Sequence, residues 1–430
     1  MLANPIREDT TLLIGKLELT TGPGRIFGLD LSHTHAAVTV LQPDRDVHQY
    51  EFPLTDEAIR LFTSDLRPVD VVVMETSGNI RYLYDIIEPL VREVAVADPR
   101  KVALITRSKA KCDRNDSYNL ALLKAVDLLP TIWMPDPQTQ GDREILHRRH
   151  GVLANRTATQ NQIRSLLATH GMTVPTSDVH TQDARLFLAA ALKKLPQSAQ
   201  ECLSSLLREL AFQDHELSIM DAHVMVRAER WKSDLELLLT TPGIGTMLAF
   251  TIMACIGTIE RFLKAYSLGN YTGAVPILKQ SAGTTWSGGI TKAGPKLLRW
   301  ALTEAVHGLI RSPGFFYNFY RRIKKGQKQR HGIAIMACVR ELAEVVWRML
   351  TARKTFQESV PQSLSDEVVA QRLQKKWARE NQKSSSARTL YESQPTTRST
   401  ILQNLDRVRG LATVKDNPRP IPRELKATAR

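Results

Sequence analysis

The feature that most constrains the fold of this chain is a short apolar run, Val69–Glu75, that ends in a carboxylate. Its sequence, Val-Asp-Val-Val-Val-Met-Glu, is rich in β-branched residues and predicts a buried β-strand. Two further strands, joined by a tight turn, are predicted before it at 25–32 and 35–41, and 47–52 favours a third. The N-terminal part of the chain is therefore expected to contain a β-sheet.

Helices are predicted between and after these strands. Residues 55–66 have helical spacing with Thr55 as the N-cap, residues 80–91 form a second helix, and residues 93–97 a short strand. Strands in succession followed by alternating helices and strands are the element order of an RNase H-like α/β domain, which we place at residues 25–141.

The remainder of the chain is predicted to be helical, so the fold class is α/β plus all-α. Residues 142–232 favour a helical hairpin or coiled-coil arm, although a simple helical bundle fits the same pattern. Residues 233–350 predict a helical C-terminal domain, broken by a Gly/Ser/Thr-rich loop around 281–291. Residues 1–24 are expected to form a flexible arm, and residues 351–430 a basic, partly disordered tail with sixteen Lys or Arg against eight Asp or Glu.

The charge of the chain favours a polyanionic partner. Its formal net charge is +14, and each phosphate neutralised by Lys or Arg releases condensed counterions. The four cysteines have no metal-binding spacing and predict reduced thiols. The uncharged run 237–259 is interrupted by Pro242, Gly243 and Gly245, so we expect a turn and a buried helix there rather than a membrane span. With no signal peptide predicted, we expect a cytoplasmic protein.

Four carboxylates stand out by their positions. Asp30 ends the first predicted strand and Glu75 ends the apolar strand, while Asp113 and Asp116 lie three residues apart on one face of a predicted helix. Each alone could be a turn cap or a surface acid. Together they would repel one another unless cations lay between them, which indicates a site for divalent metal ions.

These segments resemble a known motif. Gly28–Ser32, Met74–Gly78 and Asp113–Asp116 are similar to the DEDD motif of the RuvC-like domain in the insertion-sequence 110 family of transposases. The resemblance implies that Asp30, Glu75, Asp113 and Asp116 bind Mg²⁺ (or Mn²⁺). Ser77 is a mild departure, because the family usually has Thr-Thr-Gly or Ala-Thr-Gly after the glutamate.

A second block resembles the C-terminal domain of the same family. Gln280–Gly283, followed by the Gly289–Arg299 segment, is similar to the family's Gln-Ser-Gly element and the pattern after it, which implies that Ser281 is the nucleophile. Ala282 replaces the expected glycine, and Ser287 is the nearest competing serine. The turn at Pro242–Gly245 resembles a helix-hairpin-helix turn that can bind phosphate, or is a plain helix connection.

Basic side chains provide candidate nucleic-acid contacts, although an ordinary basic surface would look the same. The segment 321–330 has six cations in ten residues and follows an aromatic run that we expect to be mostly core, with the charges facing outward. The candidate nucleic-acid-binding residues are Lys279, Lys292, Arg299, Arg321, Arg322, Lys324 and Lys325.

The resemblance implies a transposase that cuts and rejoins DNA by metal-assisted serine transesterification. It further implies donor and target double-stranded DNA as partners, a structured guide RNA from the same element, and a homo-dimer or tetramer in which the two catalytic halves meet between subunits. Three alternatives remain: a metal-dependent Holliday-junction resolvase-like nuclease without the serine step, an actin-like ATPase or sugar kinase, and a non-enzymatic scaffold. The kinase class needs a second Asp-Gly-rich phosphate loop, which the sequence lacks.

Overall fold

A computed structural model provides the fold. It describes the backbone of residues 24–44, 46–106, 113–176, 179–281 and 284–360, and the side chains of these residues except 106, 113, 114, 278–281 and 284–287. The predictions for the arm before residue 24, the tail beyond residue 360 and Cys112 lie outside the described residues. Internal contacts divide the chain into two compact units, with the boundary between Gly141 and Asp142.

The first unit contains one mixed six-stranded sheet with the spatial order β3-β2-β1-β4-β5-β6. β1 is parallel to β4, and β4 to β5, while the β1–β2, β2–β3 and β5–β6 pairs are antiparallel. The first five strands lie within two residues of their predicted bounds, which confirms those predictions. The strands are β1 (Ile26–Leu31), β2 (His35–Leu41), β3 (Val47–Pro53), β4 (Val71–Glu75), β5 (Glu93–Ala97) and β6 (Thr131–Ile132).

Helices cover both faces of this sheet, because side chains alternate along each strand and both sets are apolar. The predicted N-cap is confirmed, since the Thr55 hydroxyl accepts a hydrogen bond from the Ala58 backbone N–H at 3.4 Å. On one face, Phe27 and Val72 pack with buried residues of the first and second helices of the unit. On the other face, Val73 packs with buried residues of its fourth helix. The helices are α1 (Asp56–Ser64), α2 (Ile80–Ile87), α3 (Pro99–Thr106) and α4 (Asp113–Ala125).

A buried ion pair connects the starts of β1 and β4. Arg25 donates to the Asp70 carboxylate from its backbone N–H at 3.0 Å and from Nη2 at 2.7 Å, and the Arg67 backbone N–H donates to it at 2.9 Å. Burial alone would raise the pKa of Asp70, but these hydrogen bonds and the charge of Arg25 outweigh it and hold the pKa below its usual value. Asp70 is therefore ionised inside the protein and ties the two strands together.

Two long antiparallel helices follow, α5 (Pro137–Thr169) and α7 (Gln197–Ala228), and the boundary between the units falls in the first turns of α5. Ion pairs join them in antiparallel order, with Arg156 against Asp214 at 2.6 Å and Asp142 against Arg227 at 3.1 Å. A shorter helix, α6 (Gln182–Lys194), shares an apolar core with both. A helix of 33 residues is about 50 Å long, so the pair forms the helical hairpin that was one of the two predicted arrangements.

The rest of the second unit is a helical core with one β-hairpin. None of the described helices is long and apolar enough to cross a membrane. The chain stays packed beyond residue 350, because Phe356 is buried in the same core. The helices are α8 (Lys232–Leu239), α9 (Thr246–Ile256), α10 (Ala265–Tyr271), α11 (Lys296–Leu309), α12 (Phe315–Lys324), α13 (His331–Ala352) and α14 (Phe356–Ser359).

The hairpin corrects the prediction of an all-helical domain with an irregular loop around 281–291. β7 (Pro276–Ser281) pairs antiparallel with β8 (Thr284–Ile290), and Ser281 is opposite Thr284 in the last pair. The prediction was wrong because the glycines of this segment obscured a β-branched and aromatic run, Thr284-Thr-Trp286, which favours a strand.

Candidate active site

Asp30 and Glu75 occupy neighbouring positions at one edge of the sheet. β1 and β4 are parallel with Leu29 opposite Met74, so continuing this register by one residue places Asp30 beside Glu75. Both side chains are half-buried. Asp30 lies two residues beyond Gly28, and Glu75 two residues beyond Val73. Side chains two residues apart on a strand share a face, so both acids lie on the sheet face where Val73 packs with α4.

Helix α4 lies across this face in the opposite direction to β1 and β4. Near its C-terminal end the Lys124 ammonium group lies 2.7 Å from the carboxylate of Glu93, the first residue of β5. Farther toward its N-terminus, Ser117 packs against Gly28 so closely that a Cβ on residue 28 would lie 2.1 Å from the Ser117 carbonyl oxygen. The first turn of α4 therefore points toward the strand ends that hold Asp30 and Glu75.

The acids on α4 belong to that first turn. Asp116 is half-buried and directly precedes Ser117, and Asp113 begins the helix, although its side chain lies outside the described residues. Within the described part of the chain, no three His, Cys, Asp or Glu side chains are close enough together to form a metal site. The carboxylates of Asp30 and Glu75 at least fit a hard divalent cation, which prefers oxygen ligands.

Two of the described cysteines of the second unit are poorly suited to nucleophilic chemistry. Cys255 and Cys338 are buried, whereas Cys202 is exposed. Burial raises the pKa of Cys255 to about 11 and that of Cys338 to about 12. Both side chains are therefore neutral thiols at pH 7 rather than nucleophilic thiolates.

The β7–β8 hairpin presents two serines at different positions along it. Ser281 ends β7 next to the tip, whereas Ser287 lies inside β8 opposite Leu278. Lys279 is on β7, opposite Trp286. The side chains of all three predicted site residues, Lys279, Ser281 and the competing Ser287, lie outside the description, so the choice of nucleophile stays a prediction.

The base of the hairpin is closed by Arg299. Its Nη1 donates to the carbonyl oxygens of Thr272, at 2.9 Å, and Gly294, at 3.5 Å. Lys292 is exposed, has a left-handed φ of 54°, and donates from its backbone N–H to the Gly273 carbonyl oxygen at 3.0 Å. Arg299 thus has a structural role here, and phosphate contacts by it and by Lys292 stay predictions.

The Pro242–Gly245 turn connects α8 and α9, and it is packed on one side. Gly243 has a φ of 86°, and a Cβ there would lie 3.0 Å from the Cα of Gly308 on α11. This close approach explains the glycine at position 243. Gly245 is the N-cap of α9 and a Cβ there would contact nothing within 4 Å, so this end of the turn is open.

The basic segment that begins in the last turn of α12 has the predicted arrangement, with aromatic rings in the core and charges facing outward. Phe316 is 2% exposed and the neighbouring Phe315, Phe319 and Tyr320 pack against the same core. Arg321, Arg322 and Lys325 are exposed, and Lys324 is half-buried with its ammonium group 5.4 Å from the Tyr320 ring. In addition, the Tyr320 hydroxyl lies 2.6 Å from Nδ1 of His331, a contact that the sequence did not predict.

The sequence analysis also missed a buried polar contact beside the acids. The Thr39 hydroxyl on β2 lies 2.8 Å from that of Ser117 on α4, and both residues are fully buried. The available signal was Gly28, because a glycine inside a strand often marks the close approach of another backbone.

Two sequence models of transposase families match the two blocks with predicted catalytic residues. One, described as "Transposase" of the DEDD insertion-sequence 110 type, matches residues 27–172, which contain all four acids. The other, described as "Transposase IS116/IS110/IS902 family", matches residues 235–321, which contain Ser281. The chain thus combines an α/β unit with acids at its strand ends and a helical unit, both of transposase type.

Several transposases are similar to two thirds or more of this chain. The chain is 25% identical to the transposase for insertion sequence element IS1111A of Coxiella burnetii, over 67% of this chain and 79% of that protein. It is 23% identical to the transposase for IS1328 of Yersinia enterocolitica (67% and 86%), and 26% identical to putative transposase y4qE of Sinorhizobium fredii (76% and 80%). The chain belongs to the insertion-sequence 110 family of transposases.

Proposed function

We propose that this protein cuts and rejoins DNA strands of an insertion element, using the four acids of an RNase H-like (RuvC-like) unit together with Ser281. The observation on which the proposal chiefly rests is the adjacency of Asp30 and Glu75 at the ends of two parallel strands, beneath the helix that bears Asp113 and Asp116. Two half-buried carboxylates at neighbouring positions repel each other, and a bound divalent cation would offset that repulsion.

We infer that Asp30, Glu75, Asp113 and Asp116 would hold Mg²⁺ or Mn²⁺. When bound, such an ion neutralises charge on the non-bridging oxygens of a phosphodiester and stabilises the oxygen that leaves. The protein's own contribution is the rigid placement of two ligands on β1 and β4, since ligands on packed strands lose little entropy when they bind.

Ser281 is the proposed nucleophile. Its Oγ would form a bond to the DNA phosphorus, the bond from phosphorus to one sugar oxygen would break, and the hydroxyl proton would pass to solvent or to a nearby base. The phosphoserine ester conserves the phosphodiester linkage, so attack by another DNA hydroxyl restores both the DNA backbone and the serine. The position of Ser281 beside the hairpin tip is consistent with access to a large substrate.

We further propose that donor and target DNA bind along basic surfaces that include Lys279, Lys292 and the exposed cations at the C-terminal end of α12. A structured guide RNA could be held in the same way, through phosphate and shape rather than base sequence. From the resemblance to the family, we also propose a homo-dimer or tetramer.

A strand-exchange assay with supplied donor and target DNA tests the serine step. We expect Ser281→Ala to abolish both exchange and the covalent protein–DNA adduct, and Asp30→Asn to do the same. Ser287→Ala is the matched control, since it removes the other serine of the same hairpin and should leave exchange intact. Continued cutting by Ser281→Ala would instead support a metal-dependent nuclease. A wild-type protein that performs no exchange, so that Asp30→Asn changes nothing, would favour a non-enzymatic scaffold.

A further inference from the structure

We propose that the hydroxyl groups of Thr39 and Ser117 are positioning groups that fix α4 against the sheet, so that its acids face Asp30 and Glu75. The proposal rests on the metal site proposed above. Neither hydroxyl is offered as a ligand or as a group that contacts the substrate.

The contact belongs to a row of residues that crosses the sheet. Four residues occupy matching positions on neighbouring strands. They are, in order across the sheet, Gln49 on β3, Thr39 on β2, Gly28 on β1 and Val73 on β4. Gln49 Nε2 donates to the Thr39 hydroxyl at 2.9 Å, and this hydroxyl lies 2.8 Å from that of Ser117. The polar chain therefore extends from an edge strand of the sheet to the helix above it.

The missing side chain at Gly28 makes this contact possible. The backbone of α4 rests directly on Gly28, and a Cβ there would lie 2.1 Å from the Ser117 carbonyl oxygen and 2.8 Å from the Ala121 backbone nitrogen. Gly28 thus sets the distance between helix and sheet. The hydrogen bond between the two hydroxyls is directional, so it sets the position of α4 along the strands and the rotation of α4 about its own axis.

The spacing from this row to the acids is the same on the sheet and on the helix. Asp30 lies two residues beyond Gly28 on the same face, a rise of about 6.6 Å along a strand. Asp113 lies four residues before Ser117, a rise of about 6 Å along a helix that runs the other way. A helix located at Ser117 therefore brings its first turn level with the acidic strand ends.

The apolar core beneath α4 would not provide this precision alone. Leu120, Ala121 and Leu123 are buried against Val71 and Val73, but contacts of this kind are non-directional and tolerate small rotations. Sliding or rotation of the helix would lengthen and misalign the buried Thr39–Ser117 hydrogen bond, so it is penalised at that contact.

The test separates positioning from stability with two substitutions of one residue. Thr39→Val keeps the shape of the side chain and removes the hydroxyl, whereas Thr39→Ser keeps the hydroxyl and removes a methyl group. Binding of Mn²⁺ to the full chain is measured by calorimetric titration, and the melting temperature of the metal-free protein is measured in parallel.

We expect Thr39→Val to weaken Mn²⁺ binding about tenfold, as is usual when support behind metal ligands is lost, while Thr39→Ser binds nearly as well as wild type. Ser117→Ala should behave like Thr39→Val, and provides the same test if Thr39→Val fails to fold. Thr251→Val is the control, because Thr251 is a buried threonine of the other unit whose hydroxyl donates to the Met247 carbonyl oxygen at 2.7 Å.

Wild-type affinity for Mn²⁺ in both Thr39→Val and Ser117→Ala would overturn the positioning role and leave the metal site standing. Equal loss of affinity in Thr39→Ser and Thr39→Val, in proportion to their melting temperatures, would also overturn it, since that result indicates a merely structural role. A wild-type protein that binds no divalent ion would instead refute the metal site and the positioning role with it.

Discussion

Replacement of Gly28 by alanine is expected to destabilise the first unit strongly. The new Cβ would lie 2.1 Å from the Ser117 carbonyl oxygen and 2.8 Å from the Ala121 nitrogen, and both of these are backbone atoms of α4. No side-chain rotation can relieve such contacts. The helix must therefore retreat from β1 by about 1 Å before the shorter contact becomes tolerable.

The magnitude follows from this displacement. Overpacking of a filled core costs about 1–3 kcal/mol, and the retreat of α4 also loosens the buried Leu120 and Ala121, so we expect a loss near the upper end, about 3 kcal/mol in the free energy of unfolding. For a unit of this size the loss corresponds to a decrease of about 10 °C in melting temperature. Calorimetry of the full chain, with the transition of the first unit followed, measures it.

Gly78→Ala is the matched control, because a Cβ at Gly78 in the same unit would meet nothing within 4 Å. It should change the stability by less than about 0.5 kcal/mol. If Gly28→Ala were as stable as Gly78→Ala, the close packing of α4 on β1 would be refuted, together with the placement of its acids.

Three further predictions concern stability. Urea unfolding measured between pH 6 and pH 2.5 should show that the wild-type protein loses stability below about pH 4. The pKa of Asp70 is lowered in the folded state, so its ionised carboxylate stabilises the fold above the unfolded-state pKa, and this stabilisation is lost as the pH falls through the folded-state pKa. Asp70→Asn should flatten the dependence of stability on pH, and an unchanged slope would contradict the ion pair. Asp142→Ala should lower the free energy of unfolding of the second unit by about 1–2 kcal/mol, since two partly exposed arginines and an indole N–H lose their buried acceptor. No measurable effect in chemical denaturation would contradict that role. Gly151→Ala, in the middle of α5 with no atom within 4 Å of the new Cβ, should raise the stability by about 0.5–1 kcal/mol, and a lower melting temperature would show a contact at that position.

Much of the first unit could be predicted because its signals are local. Val69–Glu75 has only one good structural interpretation, and the capping threonine at position 55 is recognisable from its immediate neighbours. The carboxylates at the strand ends were visible in the same way. That Asp30 and Glu75 are neighbours was not visible, because it depends on the pairing of β1 with β4, strands separated by about forty residues.

The features that sequence did not predict depend on distant partners or on ambiguous composition. Thr39 and Ser117 are ordinary residues until the fold brings them together across 78 positions of sequence. The β7–β8 hairpin was missed because its glycines look like those of a loop, although the two strands pair as far as Ser281 and Thr284. Arg299 was expected at a phosphate, and its contacts with carbonyl oxygens could be seen only in three dimensions.

The most direct test of the proposed chemistry is to identify the residue that becomes attached to DNA. The full chain would be trapped during strand exchange on DNA with a nicked or phosphorothiolate-modified site, digested, and analysed by mass spectrometry for a nucleotide phosphate adduct. We predict the adduct on the peptide that contains Ser281, dependent on Mg²⁺ and absent from Asp30→Asn. An adduct on any other residue, Ser287 included, or efficient strand exchange with no protein–DNA adduct at all, would contradict this account.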